Sequence, residues 1–410
     1  MPPQIPISVS RIQWHRILQP GFFSRAGSTV AGIHRIEYKW IKGVEKLENY
    51  QPGGYHPIMV GDLLHDRYHI ADKLGYGGYS TVWLALDTHL KRYVALKVNA
   101  TDSLSSETAV LKALSASLPP SAAVHPGRGL VPVLLDEFEV QGPNGNHTCY
   151  TVTPARCNLR EISFSRLFPL DVARALAYGL TLAVAYTHSQ GYVHGGSSTP
   201  AKAFIPLFLG KYAEHFSISD AQPLLTDLGE AFAPASEVRL GQDCHTPPAF
   251  RAPEAKFEPQ SPLGYPSDIW SLSTAIWEIV GMKAIFSTDI VPEDEITAQQ
   301  IDVLEPMPAD WWRRWKGRSS FFEADGCPTE SYKGNRWPAL QESFEVGVQK
   351  WRRKVGDEIG EDEKTALLDL MRRMLAFRPE ERLTVDEVLE SEWMVRWALP
   401  EYKRNQQCAT

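Results

Sequence analysis

Apolar and polar positions alternate in short runs through the first third of the chain. Residues 68–74, 81–86 and 92–98 are rich in β-branched and aromatic side chains, and the turn residues between them predict an antiparallel meander. Between about 105 and 117 the period changes to that of a helix, with Val110, Leu111 and Leu114 on one face. Glu107 falls on the same stripe. A carboxylate there conflicts with the apolar face unless a cation pairs with it, and Lys97 on the preceding strand is the obvious partner. The alternative is a solvated first-turn glutamate favoured by the helix dipole. Residues 134–140 and 148–153 flank Pro143-Asn144-Gly145-Asn146, which predicts a hairpin on an Asn-Gly-type turn. Its second strand leads to a hinge near 152–158, and the sequence leaves open whether Thr151 or Val152 guards the adjoining pocket.

Beyond the hinge the pattern is helical. Pro169 opens a helix whose stripe includes Val172, Leu176, Leu180 and Ala183, and Gly191 ends it. A second helix opens near Ser267 or Asp268, either of which could cap it. The apolar run from 269 to 286 contains Glu278 and Lys283 and reads as a buried helix, not a membrane span. Residues 361–376 and 384–394 supply two further helices. The Trp-rich, charged stretch from about 286 to 360 is too long for a simple loop and predicts a helical insert.

At 410 residues the chain can hold two lobes, each with its own core. A net charge of −7 disfavours non-specific nucleic-acid binding. The five cysteines are scattered and in no metal-ligand spacing, as in a reduced intracellular compartment. Residues 1–36 carry Arg11, Arg16, Arg25 and Arg35 with no acidic residue. That composition suits an organellar, for instance mitochondrial, transit peptide; a flexible basic tail or an arm packed on the domain are the alternatives.

The candidate chemistry starts at Gly75-Tyr76-Gly77-Gly78-Tyr79-Ser80-Thr81-Val82, a glycine-rich turn between two strands. Such a turn lets backbone N–H groups approach a triphosphate. Fifteen positions after Val82, Val94-Ala95-Leu96-Lys97 puts a lysine on the next strand, and Asp227-Leu228-Gly229 and Ala252-Pro253-Glu254 follow in order. Over roughly residues 62–398 this resembles the eukaryotic protein kinases. More narrowly, Gly53-Gly54-Tyr55-His56-Pro57, Val60-Gly61-Asp62, Arg67-Tyr68-His69, Ser80-Thr81-Val82-Trp83-Leu84, His245-Thr246-Pro247 and Phe377-Arg378-Pro379-Glu380-Glu381-Arg382 resemble the SR-protein kinases, in a fungal-type branch.

The resemblance implies an α+β, two-lobed fold. Residues 47–153 would form a small antiparallel β-rich lobe and 154–398 a larger helical lobe, between a basic extension (1–46) and a C-terminal tail (399–410). It implies an intracellular, monomeric serine/threonine kinase of cytoplasm or nucleus that uses ATP and Mg2+ on Arg/Ser-rich proteins. Leu74, Gly75 and Gly77 would cover the nucleotide, Val82 and Ala95 sandwich adenine, and Lys97, paired with Glu107, reach the α/β-phosphates. Asp227 would hold magnesium, with Leu228 replacing the family's usual Phe. Glu254–Arg382 and Asp268 would be structural, and Glu293-Asp294-Glu295 is a candidate docking cluster for arginines.

The pattern breaks at the catalytic loop. After Tyr192-Val193-His194, Gly195 replaces the family's arginine and Gly196 the aspartate that accepts the substrate proton. Ser198 stands for the lysine and Ala201 for the magnesium-binding asparagine, with Lys202 out of register. Asp220 is poorly placed as a substitute base, and His194 fits a structural role better. A phosphate on the activation segment would lack its usual basic partner. Two explanations stand: a pseudokinase serving as a nucleotide-binding scaffold, or a splice form or gene model in which residues 196 to about 203 replace a lost segment. The abruptness of the break favours the second. A small-molecule phosphotransferase, suggested by His194-Gly195, conflicts with Ala252-Pro253-Glu254 and the Arg382 region.

Overall fold

The computed structural model describes residues 45–101, 107–116, 123–196, 210–289, 291–304 and 306–409. The basic stretch 1–36 and Ser198, Ala201 and Lys202 lie outside them. Six strands form one antiparallel sheet: β1 (Leu63–Leu64), β2 (Tyr68–Gly77), β3 (Ser80–Asp87), β4 (Arg92–Asn99), β5 (Leu134–Gly142) and β6 (Gly145–Val152). Their order is β1-β2-β3-β4-β6-β5. Alternation along the strands divides the sheet's faces. Tyr68, Ile70, Trp83, Val94, Leu96 and Val98 pack into one core on one side. Val82 pairs with Lys97 and Leu84 with Ala95, so Val82, Ala95 and Lys97 share the other side.

Helix α1 (Glu107–Ser115) carries the expected stripe, with Glu107, Val110, Leu111 and Leu114 all buried. The β5–β6 turn differs from the expectation. Gly142 pairs with Gly145, so the two loop residues are Pro143-Asn144, and Gly145, at φ +129°, opens β6. Glycine tolerates that backbone where other residues are strained.

The remainder is mainly helical and is built on two buried helices, α3 (Leu170–Ser189) and α5 (Tyr265–Val280), after the short α2 (Leu159–Ile162) and α4 (Glu254–Phe257). Helix α3 starts directly after Pro169 and ends before Gly191, at φ +83°. Helix α5 begins two residues earlier than expected, and neither Ser267 nor Asp268 caps it. Gly264 precedes it, and the Ser267 hydroxyl donates to the Gly264 carbonyl at 2.7 Å. Residues 223–226, leading into Asp227, form no strand; Leu225 N–H donates to Leu130 O at 2.8 Å. The stretch expected as a C-terminal tail is helix Leu399–Ala409, with Asn405 buried and its amide donating to Ile218 O.

The expected insert contains helices Glu293–Leu304, Ala309–Arg314, Leu340–Phe344 and Lys350–Val355, the last two joined by a π-helical turn, Glu345–Gln349. Arg352 ties it to the core. Its guanidinium is fully buried, donates twice to Val280 O (2.9 and 2.7 Å) at the end of α5, and pairs with Asp357 at 3.0 Å. Asp357 in turn accepts the first N–H of α3, from Leu170, at 2.7 Å. Burial pushes the Arg352 pKa down to about 10, against the pull of Asp357, so the group is still charged at neutral pH. Arg352→Met should lower stability by about 1–3 kcal/mol, because the Val280 carbonyl loses both donors inside the protein. Urea unfolding would measure it as a lower midpoint at unchanged slope.

Candidate active site

The sheet face that carries Val82 and Ala95 also presents Lys97. The Lys97 ammonium lies 2.6 Å from Glu107 Oε2 and 3.8 Å from Asp227 Oδ1. Glu107 is buried at the start of α1, whereas the Asp227 side chain is about half exposed (49%). Asp227 adopts the left-handed region, φ 64° and ψ 61°. Such a backbone costs a non-glycine residue energy and clusters at functional sites. The structure therefore brings one cation, its buried counter-ion and one accessible carboxylate to a single point.

The glycine-rich loop closes tightly over the end of β2 and β3, with Gly75 opposite Val82 and Gly77 opposite Ser80. A Cβ added at Gly75 or Gly78 would meet nothing within 4 Å, so the space there is open. Leu74 and Val82 are half-buried beside it. The open choice between Thr151 and Val152 resolves by register. Val152 pairs with Ala95 and so shares its face, while Thr151 pairs with Leu96 and is fully buried on the other. Tyr150, which sequence reasoning missed, pairs with Lys97 and packs with Leu111, Leu114 and Leu228. Period-two counting back from Val152 would have found it. Burial, reinforced by Glu107, raises the Tyr150 hydroxyl well above its ordinary value.

Below this point the loop after α3 is held by Asp268. Its carboxylate accepts N–H bonds from His194 (2.6 Å) and Gly195 (3.1 Å) and lies 3.0 Å from His188 Nε2. Burial pushes the Asp268 carboxyl up, but the His188 and His194 interactions outweigh it and the pKa lies below the usual value. His194 Nε2 reaches the Thr226 carbonyl at 3.0 Å, a structural contact beside Asp227. Asp220 is taken up by Ser217 and by Lys211 at 2.7 Å.

At Gly196 the backbone is left-handed, φ +64°, and a Cβ built there would overlap the buried Thr246 hydroxyl. Thr246 is fixed by donating to Gly195 O at 2.9 Å. Nothing in the sequence pairs Thr246 with Gly196; only the fold brings them together. The segment between Asp227 and Glu254 is braced by Glu230, 3.0 Å from both Arg239 and His245. It is anchored at its end by the buried Glu254–Arg382 pair, at 2.8 and 2.6 Å. The acidic run 293–295 is mostly engaged internally: Glu293 pairs with Arg251 at 3.1 Å and Asp294 with Lys256 at 2.6 Å.

A protein kinase domain model matches residues 216–394, beginning past the altered loop. The antiparallel sheet, the helical part and this match together give the two-lobed protein-kinase fold. A serine/threonine protein kinase of Aspergillus fumigatus is 28% identical over 384 residues, 86% of this chain and 90% of that one. Protein kinase dsk1 of Schizosaccharomyces pombe is 36% identical over 157 residues, 37% of this chain and 29% of its own. SRSF protein kinase 3 of Homo sapiens is 43% identical over 110 residues, 26% of this chain and 19% of its own. Over these spans the chain is similar to SR-protein-kinase-like serine/threonine kinases. A protein kinase domain implies ATP and usually Mg2+. No helix among the described residues is long and apolar enough to cross a membrane.

Proposed function

We propose that this chain binds ATP with magnesium at the Lys97–Glu107–Asp227 point, docks Arg/Ser-rich proteins, and transfers phosphoryl groups only slowly. The observation that carries the binding half is the Lys97 ammonium held between Glu107 at 2.6 Å and Asp227 at 3.8 Å. A buried carboxylate keeps the cation in place, and the cation can then neutralise phosphate oxygens. Bound magnesium supplies charge neutralisation at the phosphates; Asp227 is the accessible carboxylate that would hold it. One carboxylate plus phosphate oxygens is an ordinary magnesium environment, so the residues present fit the group. Val82, Ala95 and Val152, on one face, offer an apolar slot for the base, beneath Leu74, Gly75 and Gly77.

Among the described residues, no proton acceptor stands at the base position. Gly196 has no side chain, and Thr246 fills the space where one would go. A positioned base contributes roughly 10²–10⁴-fold, and its loss leaves binding and orientation alone. Glu230, Arg239 and His245 brace the activation segment among themselves, which supports a segment that needs no phosphate to be ordered. The scaffold reading and the enzyme reading share this nucleotide site and differ only in rate.

Lys97→Met tests the binding half. With magnesium and ATP at about 100 times Kd the unaltered chain should gain about 2.7 kcal/mol of stability, read as a raised melting temperature. The variant should show almost none of that rise. An equal rise in both proteins would overturn the proposed site.

A further inference from the structure

We infer that residues 45–57 form an internal strap that sets the closure of the glycine-rich loop, with the Tyr55 hydroxyl as its positioning group. The inference rests on the nucleotide site proposed above and assigns a way of controlling it.

The loop tip has little holding it from its own residues. Gly75 and Gly78 contribute no side chains, and Tyr79 is 67% exposed. Beyond the β2–β3 pairing and the Ala100 N–H bond to Tyr79 O, Tyr55 holds the tip among the described residues. Its hydroxyl donates to Gly77 O at 2.6 Å and lies 3.3 Å from Gly78 O. In a planar trans peptide the carbonyl and the following N–H point in opposite directions. Holding the Gly77 and Gly78 carbonyls toward the strap therefore turns the Gly78 and Tyr79 N–H groups away from it. Those are the amides left to meet a phosphate.

Tyr55 can do this because it is itself immobile. It is 3% exposed, its N–H donates to Asn49 O at 2.9 Å, and its carbonyl accepts from the Asn144 amide at 2.6 Å. The Tyr50 ring packs edge-on against it at 5.5 Å. Further along, Glu45 pairs with Lys73 of β2 and accepts from the Tyr50 hydroxyl. Gly54 O accepts from Thr101 N–H at 3.3 Å, two residues past the end of β4, the strand that carries Lys97. One strap thus touches the glycine loop, the β5–β6 turn and the exit from β4. Burial raises the Tyr55 hydroxyl's pKa, so it stays a donor at neutral pH.

The test uses the full chain and two variants. Tyr55→Phe keeps the ring and removes the hydroxyl; Gly54→Ala forces the strap backbone off Asn49 O, where an added Cβ would overlap. A fluorescent ATP analogue is titrated with magnesium, and amide hydrogen exchange is followed at residues 77–80. Tyr55→Phe should weaken the analogue about three- to tenfold, the scale of one net hydrogen bond, and speed exchange at those amides. A purely structural role would lower the melting temperature and leave the affinity of the folded protein unchanged. Unchanged affinity and exchange in Tyr55→Phe would overturn the strap. If Tyr55→Phe does not fold, Gly54→Ala carries the same expectation and the same contrary result. Should the unaltered chain fail to bind the analogue, the nucleotide site falls. Exchange alone then decides the strap, faster in the variant supporting it and equal exchange overturning it.

Discussion

Arg382→Ala should destabilise the protein by about 3–5 kcal/mol, the cost of breaking a buried ion pair by removing one partner. The size follows from how completely this guanidinium is used. Its side chain is fully buried and its five N–H donors have five acceptors. Two are the Glu254 oxygens at 2.8 and 2.6 Å, and the others are the carbonyls of Ala376 (2.8 Å), Pro266 (2.9 Å) and Phe377 (2.9 Å). The guanidinium also lies over the Trp270 ring at 5.1 Å. Truncation strands the Glu254 carboxylate in the interior together with three carbonyls. Lysine cannot rescue it, because one ammonium has three donors and no planar fork. Chemical unfolding of Arg382→Ala, Glu254→Gln and the double variant gives the coupling directly. The double variant should fall well short of the sum. A loss below about 1 kcal/mol for Arg382→Ala would show that the pair contributes no more than a surface bridge.

That pair, and the Lys97–Glu107 pair, were legible because each rests on a short motif or on a conflict that one sequence displays. A glutamate on the apolar stripe of α1 demands a cation, and Lys97 supplies it at 2.6 Å. The two-lobed division was legible for a similar reason, since period-two and period-3.6 patterns occupy separate stretches. What was not legible depends on where the chain crosses itself. Asn-Gly chemistry pointed to a turn one residue late, because Gly142 pairs with Gly145 and the loop is Pro143-Asn144. Glu293 and Asp294 looked free to meet arginines, yet Arg251 and Lys256, some forty positions earlier, already engage them. The strap on the glycine loop spans Tyr55 to Gly77, and no local propensity encodes a hydroxyl aimed at a carbonyl. Long-range polar contacts of this kind are fixed by the packed core and leave no periodic trace.

The catalytic loop shows the same limit from the other side, because the sequence reveals the missing aspartate but not what stands in its place. Gly196→Asp should leave transfer to an Arg/Ser-rich peptide within about tenfold of the unaltered chain, short of the 10²–10⁴-fold that a positioned base supplies. Two obstacles act together. The backbone at Gly196 has φ +64°, which costs an L-residue about 1–2 kcal/mol. The new Cβ would also overlap Thr246 Oγ1, a buried group already donating to Gly195 O at 2.9 Å. The carboxylate must therefore displace Thr246 or move the loop, and Asp268, bonded to the His194 and Gly195 amides, resists that movement. Gly196→Asp combined with Thr246→Gly removes the overlap and should recover most of the lost melting temperature without restoring transfer. Phosphoryl transfer, followed with labelled ATP, and nucleotide affinity separate the two effects, since affinity depends on Lys97 and Asp227 and should hold in both variants. A hundredfold rise in transfer from Gly196→Asp alone would mean that the loop accepts a base readily. The slow-transfer reading would then give way to an enzyme lacking a single side chain.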